Sequence, residues 1–224
     1  MEIGIISEGF TDQIVLENIL IGFFDDKNLP VNYLQPLPNT TGNWDKVFKY
    51  CQSDDFKQAL QYNDLLIVQI DSDFMQHGEV SENYRIDLQG LSPIEIVAAM
   101  SQKLVELIGT DFYISNENRI VFAVSVDSIE CWLLPIYYRN QSKKAAKTSG
   151  CLDTLNKVLL QQEGFSIDAK KADYYQKVSK HFQKQKDLLT YSSKNPSFEA
   201  FITNLKNTTQ PPQKSNKNTK KNSN

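Results

Sequence analysis

Two short segments hold the residues best suited to chemistry. Ser7-Glu8-Gly9-Phe10-Thr11-Asp12 follows the apolar run Ile3-Gly4-Ile5-Ile6, and Asp71-Ser72-Asp73 follows the apolar run over residues 65–70. Each run reads as a buried strand. Glu8 therefore stands where a strand stops, and Asp12 where the helical pattern Ile14, Val15, Ile19, Leu20, Phe23 begins. Asp71 and Asp73 stand at the carboxyl end of the second strand. In open α/β sheets, ligand chemistry gathers at the carboxyl ends of strands. Four carboxylates crowded there repel one another unless a cation neutralises them. A hard ion with oxygen ligands fits that set, so one or two Mg²⁺ or Mn²⁺ ions are expected. Two such ions would stabilise both the attacking and the leaving oxygen of an in-line phosphoryl displacement.

The elements that must position these residues can be read in order. Residues 31–37 are a second strand candidate, ended by Pro36 and Pro38 and therefore suited to a sheet edge or a strand end. Asn39-Thr40-Thr41-Gly42-Asn43 is a polar turn near the mouth of the expected site. Trp44, Val47, Phe48 and Cys51 recur at helical spacing, and Phe56, Ala59 and Leu60 extend the pattern. These aromatics suit a core better than a base-stacking platform. Residues 76–90 form a long polar connection, and long loops beside a site are often functional. His77, within it, reads as a surface histidine with catalysis as the alternative. Ser92-Pro93-Ile94-Glu95 is a capping box opening a helix that runs to Gly109. A strand over residues 119–126 follows, and Ser128 is placed to cap a short helix carrying Trp132, Leu133 and Leu134. Strands alternating with helices over residues 1–126 predict a mostly parallel sheet flanked by helices. Beyond it, residues 136–206 read as a helical extension packed on that α/β unit of residues 1–135. Residues 207–224 read as a disordered basic tail.

Two readings stand for several charged residues. Thr11 or Asp12 can cap the first helix, or Asp12 can bind metal. Glu130 can favour a helix dipole, or bind metal. Lys143, Lys144 and Lys147 can form a solvated loop or a phosphate-contacting patch. Lys170, Lys171, Lys177, Lys180, Lys184 and Lys186 decorate a helix striped by Tyr174, Tyr175, Val178 and Phe182.

A strand ending in Glu-Gly-x-Thr-Asp, followed by one ending in Asp-x-Asp, resembles the Toprim domain. The segment Asp127-Ser128-Ile129-Glu130-Cys131-Trp132-Leu133-Leu134 is similar to a Ser-x-Glu-x-Trp-Leu-Leu segment of small stand-alone Toprim-like proteins of bacterial defence loci. The resemblance implies a Toprim-like α/β sheet with Glu8 as metal ligand or general acid/base and Asp71 and Asp73 as metal ligands. Asp12 and Glu130 would serve a second ion, and Lys171 or Lys177 would neutralise the phosphate. Topoisomerases of this fold cut through a tyrosine on a further large domain, and primases need zinc-binding regions that three cysteines do not provide. The implied activity is therefore hydrolysis of nucleic-acid phosphodiesters, as in nucleases of the overcoming-lysogenization-defect type, with a separate ATPase as partner. The alternatives are a non-catalytic Toprim-like subunit, or a phosphatase or phosphotransferase using Asp-x-Asp.

Bulk composition narrows the field only partly. The formal charge of −3 gives no general nucleic-acid signature. The tail holds four lysines (Lys214, Lys217, Lys220, Lys221) and no acid, so the remainder carries 20 basic against 27 acidic residues. Cys51, Cys131 and Cys151 are odd in number with no CxxC spacing, which argues against a disulfide framework or a zinc site. No run approaches the ~20 apolar residues of a membrane span, and a cytoplasmic protein is expected. Nothing in the pattern fixes the oligomeric state.

Overall fold

The computed structural model describes residues 1–76 and 80–209. Four strands form one all-parallel sheet: β1 (Ile3–Ile6), β2 (Val31–Gln35), β3 (Leu65–Asp71) and β4 (Ile120–Ser125), in the order β2-β1-β3-β4. Eleven α-helices accompany them among the described residues. In chain order these are α1 (Phe10–Phe24), α2 (Trp44–Gln52), α3 (Asp54–Tyr62), α4 (Pro93–Ile108), α5 (Thr110–Asn116) and α6 (Glu130–Tyr137). Then come α7 (Ser142–Ala145), α8 (Cys151–Glu163), α9 (Ala172–Ser179), α10 (Gln185–Ser192) and α11 (Pro196–Thr209).

Alternation along the strands divides the core in two. Ile3, Ile5, Leu65, Ile67, Val121 and Ala123 point to one face, where α1, α6 and α8 to α11 cover them. Ile6, Leu66, Val68, Ile70, Phe122 and Val124 point to the other, beneath α2, α3 and α4. A sheet covered on both faces needs continuous apolar strands rather than half-polar ones. That is why β1, β3 and β4 are buried at every residue, while the edge strand β2 is only partly covered. The helices of residues 136–206 complete the core: Tyr175, Phe182, Tyr191, Phe198 and Phe201 are all buried against α1 and α6. Trp132 is a packing residue, stacked on Phe198 with centroids 4.8 Å apart and donating its indole N–H to Ser197 Oγ at 2.9 Å.

The order of the strands decides where a site can form. The chain leaves β1 for β2 on one side and returns to place β3 on the other. The direction of winding therefore switches between β1 and β3, and a crevice opens at their carboxyl ends. Register pairs Ile6 of β1 with Val68 of β3, and Asp71 of β3 with Ser125 of β4. The loops carrying Glu8, Asp73 and Asp127 thus leave the sheet side by side.

Several local features differ from the sequence reading. The first helix is capped by neither Thr11 nor Asp12: it begins at Phe10, with Gly9 as an N-cap that makes no side-chain bond. The helical pattern over residues 44–62 is two helices broken at Ser53, whose N–H and Oγ both bond the Tyr50 carbonyl. Ser128 does not cap α6: the N-cap is Ile129, with no side-chain bond, and Ser128 contributes only its carbonyl, which accepts from Cys131 N at 3.0 Å. The last helix runs past Lys206 to Thr209, so the basic tail starts later than expected; Lys214, Lys217, Lys220 and Lys221 lie outside the described residues, as does His77. A further correction concerns the cysteines. Cys131 and Cys151 are disulfide-bonded, because α6 and α8 pack with their first turns in contact, a proximity that a separation of 20 residues conceals. The capping box at Ser92 and Glu95 is formed as expected.

Candidate metal centre

The loop after β1 has no room to vary. Ser7 N bonds the Gln35 carbonyl at 2.7 Å and Ser7 Oγ donates to the Gly9 carbonyl at 2.9 Å. The polar turn of residues 39–43 presses on the same loop. A Cβ added at Gly42 would stand 2.1 Å from the Glu8 carbonyl oxygen, so only glycine permits that approach. The chain after β1 is thereby turned so that Glu8 faces β3. Glu8 Oε1 accepts the Asp71 backbone N–H at 2.7 Å.

Gln69 completes this junction. It is fully buried one turn of the pleat before Asp71. Its Oε1 accepts the Glu8 N–H at 3.1 Å and its Nε2 donates to Asp71 Oδ1 at 2.8 Å. A single side chain thus orients both acidic residues. The sequence signal was a glutamine inside an apolar strand, where burial demands hydrogen-bond partners.

Asp12 lies in the first turn of α1 and is fully buried. Neither of its carboxylate oxygens makes a well-formed hydrogen bond among the described residues, although the Gly9 N–H is close enough to favour the anion. Burial pushes its carboxyl up to about 7; Lys170 opposes the shift, and Glu130 and Asp73 add to it. Burial likewise pushes Glu8 up to about 8, with Asp12 and Asp73 contributing and the Asp71 N–H and Lys170 opposing. Asp71 is raised well above the carboxylate range by burial and then by Glu8, Asp12 and Glu130. Glu8, Asp12 and Asp71 are each raised by one or more of the other acids, so Glu8, Asp12, Asp71, Asp73 and Glu130 form one electrostatic cluster. Glu130, nearly inaccessible, accepts a short hydrogen bond from the Tyr175 hydroxyl. Burial and then the Glu130 charge hold that phenol above its usual range, so it remains a donor.

An open cavity of about 400 Å³ lies over the cluster, lined by Asp71, Asp73, Glu130, Lys170 and Asp127 and by Gly150 to Asp153. The first turn of α8 forms that last wall. Helix N-termini present free N–H groups and a positive dipole end, which favour anions. The Asp127 carboxylate already uses one such group, accepting from Cys151 N at 3.4 Å. Its backbone N–H bonds Ser72 Oγ at 2.9 Å and its carbonyl accepts from Asp73 N at 3.1 Å. Asp127 holds a left-handed φ of 69°, and these three bonds keep it there.

The two lysines chosen from the sequence stand elsewhere. Lys177 pairs with Glu163 at 2.9 Å and lies over the Phe165 ring at 4.1 Å. Glu163 is the last residue of α8, about 18 Å along the helix from the Cys151 end that meets the cavity. Lys171 lies over the Tyr174 ring at 5.9 Å. Lys170 is the lysine that reaches the cluster. Burial alone would lower its pKa, but Asp12, Glu130, Asp71 and Glu8 outweigh that and hold it above the usual lysine range. It precedes α9 rather than lying on it, so helical periodicity cannot distinguish it from Lys171. Lys147, from the other basic segment, braces the start of α8 through the Gly150 carbonyl at 3.2 Å and Thr154 Oγ1 at 2.6 Å.

The donor set suits a hard cation. It is all carboxylate, and Asp12 offers two buried oxygens without a well-formed hydrogen bond among the described residues. Asp127 Oδ2 and the Cys131 and Cys151 sulfurs also lie within 4.8 Å of one another, but the disulfide removes both thiols as ligands. Among the described residues no helix is long and apolar enough to cross a membrane. Comparison with protein-family models, with curated proteins and with solved structures finds no match for this chain.

Proposed function

We propose that this chain is a metal-dependent nuclease that hydrolyses nucleic-acid phosphodiesters. One observation carries the reading: at the switch point of a parallel sheet, Asp12 is fully buried and electrostatically coupled to Glu8, Asp71, Asp73 and Glu130, with Lys170 as the counter-charge. So much uncompensated acid is costly in the native state unless a cation binds there. Glu8, Asp71 and Asp73 would hold one Mg²⁺ or Mn²⁺, with Asp12 and Glu130 serving a second. When bound, such ions supply an activated water and neutralise charge on the phosphate.

The chain's own residues do the rest. Gln69 holds the Glu8 backbone N–H, and the Asp71 N–H fixes one oxygen of the Glu8 carboxylate. Tyr175 holds Glu130 in one orientation. Lys170 and the N-terminal amides of α8 receive the phosphate and the charge that develops on it. This assigns to Lys170 the role first given to Lys171 or Lys177. The resemblance to Toprim-type defence nucleases supports the same substrate class, a cytoplasmic setting and an ATPase partner. Those three points rest on resemblance rather than on the site.

The test is a panel of DNA and RNA substrates with Mg²⁺ and Mn²⁺, with and without any ATPase encoded beside this chain. Metal-dependent cleavage lost in Asp12→Asn supports the reading. Hydrolysis of small phosphomonoesters alone would favour the phosphatase alternative, and metal binding without any hydrolysis the non-catalytic one.

A further inference from the structure

A second cavity, of about 430 Å³, adjoins the carboxylate cleft. Met75, Ile86, Leu88 and Ile96 give it apolar walls, and Asp87 and Gln89 stand at its polar side. It lies within the size range of small-ligand pockets, which are typically apolar with a few convergent polar groups. Its position is the informative feature. Asp127 lines both cavities, and Ser72, which also lines this one, lies between Asp71 and Asp73 in the chain. Ser72 Oγ accepts the Asp127 N–H at 2.9 Å, so one hydrogen-bonded pair forms the partition between the two spaces. A phosphodiester held at the carboxylates would place an attached group over this partition. The walls suit a flat heterocycle, and the Asp87 carboxylate suits an amino group on its edge.

We propose that this cavity is a nucleobase subsite that takes one unpaired base of the polynucleotide whose phosphate lies at Asp71 and Asp73. The inference rests on the nuclease reading above and specifies its substrate. A stacked, paired base has no free edge and face to insert, and extracting it costs energy that a single strand does not incur. The enzyme therefore selects single-stranded or unpaired nucleic acid.

The experiment uses the full chain with Mn²⁺ and three substrates. These are a single-stranded oligonucleotide, the same strand with an abasic residue moved through successive positions, and bis(4-nitrophenyl) phosphate, a diester with no base. The wild type should show a kcat/KM about tenfold lower for the abasic strand at one position. Filling the cavity by Ile96→Trp on α4, or independently by Leu88→Trp on the preceding loop, should erase that difference. Equal cleavage of the intact strand and of every abasic strand would overturn the subsite while hydrolysis of the plain diester upheld the nuclease reading. No metal-dependent hydrolysis of any of the three would overturn the reading and the subsite together.

Discussion

Glu8 Oε1 accepts the backbone N–H of Asp71 at 2.7 Å, joining the loop after β1 to the last residue of β3. A carboxylate used in this way is part of the scaffold, and that part can be separated by experiment from the metal-ligand role proposed for it. Glu8→Gln keeps an oxygen that can accept the same N–H and removes the charge. Its melting temperature without metal should equal or exceed that of the wild type, because repulsion from Asp12 and Asp73 is relieved. The rise in melting temperature on adding Mg²⁺ or Mn²⁺ should shrink, since a ligand stabilises only in proportion to its affinity for the native state. Cleavage should fall at least about 10²-fold. Thermal shift and activity measured on one preparation check all three, and full activity in Glu8→Gln would remove it from the site.

The acid cluster also predicts how stability depends on pH. Glu8, raised from 4.5 to about 8, and Asp12, raised from 3.8 to about 7, bind protons more tightly folded than unfolded. Between the unfolded and folded values the native state holds more protons, so stability falls as pH rises. The contribution is fully present below about pH 4 and is lost as pH passes through 7 and 8. Each group can remove up to about 1.4 kcal/mol per pH unit inside that window. Metal-free protein should therefore melt lower at pH 8 than at pH 5, with a shallower slope in Asp12→Asn. Saturating Mg²⁺ should reverse the trend, because it favours the ionised carboxylates. A flat profile without metal would mean that these acids are not buried as a cluster.

The parts of this fold that sequence revealed are those with a strong period or a strong local rule. The buried strands, the Ser92 capping box and the placement of Glu8 beside Asp71 follow from apolar runs, helix-start chemistry and the parallel winding they impose. What stayed hidden depends on contacts between distant segments. Lys170 and Lys171 are adjacent in sequence, and only the approach of the segment before α9 to Asp12 and Glu130 tells them apart. Gln69 gained its role from one partner in the loop after β1 and one on its own strand. The bridge between Cys131 and Cys151 follows from how α6 packs on α8, which no spacing rule encodes. Asp12 was legible as an acid at a helix start, but its complete burial and its coupling to the other acids were not.

Lys170 should therefore matter where Lys177 does not. Lys170→Met retains most of the stem and deletes the charge nearest Asp12 and Glu130. Cleavage should drop about 10²-fold, in line with loss of one electrostatic donor to a developing anion. The pKa of Asp12 should rise further, since Lys170 opposes its upward shift. Lys177→Met removes a partly exposed pair with Glu163, worth at most about 1 kcal/mol. It should leave turnover near the wild-type value. Equal losses in the two variants would show that neither lysine acts locally on the phosphate.

The disulfide supplies the last prediction. Cys131 lies in the first turn of α6 beside Glu130, and Cys151 opens α8, whose first turn walls the cavity. The bridge thus ties the helix carrying Glu130 to the helix end that walls the cavity. Closing a separation of 20 residues corresponds to about 3 kcal/mol of loop entropy. Combining Cys131→Ala with Cys151→Ala should lower the melting temperature by roughly 6–12 °C for a chain of this size. Binding of the phosphodiester should weaken more than turnover, because α8 orients the phosphate while the carboxylates remain on the sheet. Cytosolic thiols are kept reduced, so the state of the bridge in the cell is itself informative. Burial raises the Cys51 thiol above its normal range, which protects it in the folded protein. Alkylation after denaturation without reductant should then label one cysteine in the bridged protein and three in the open form. Three labels in protein trapped directly from cells, with an unchanged melting temperature in the double variant, would show that the bridge does not contribute to the working molecule.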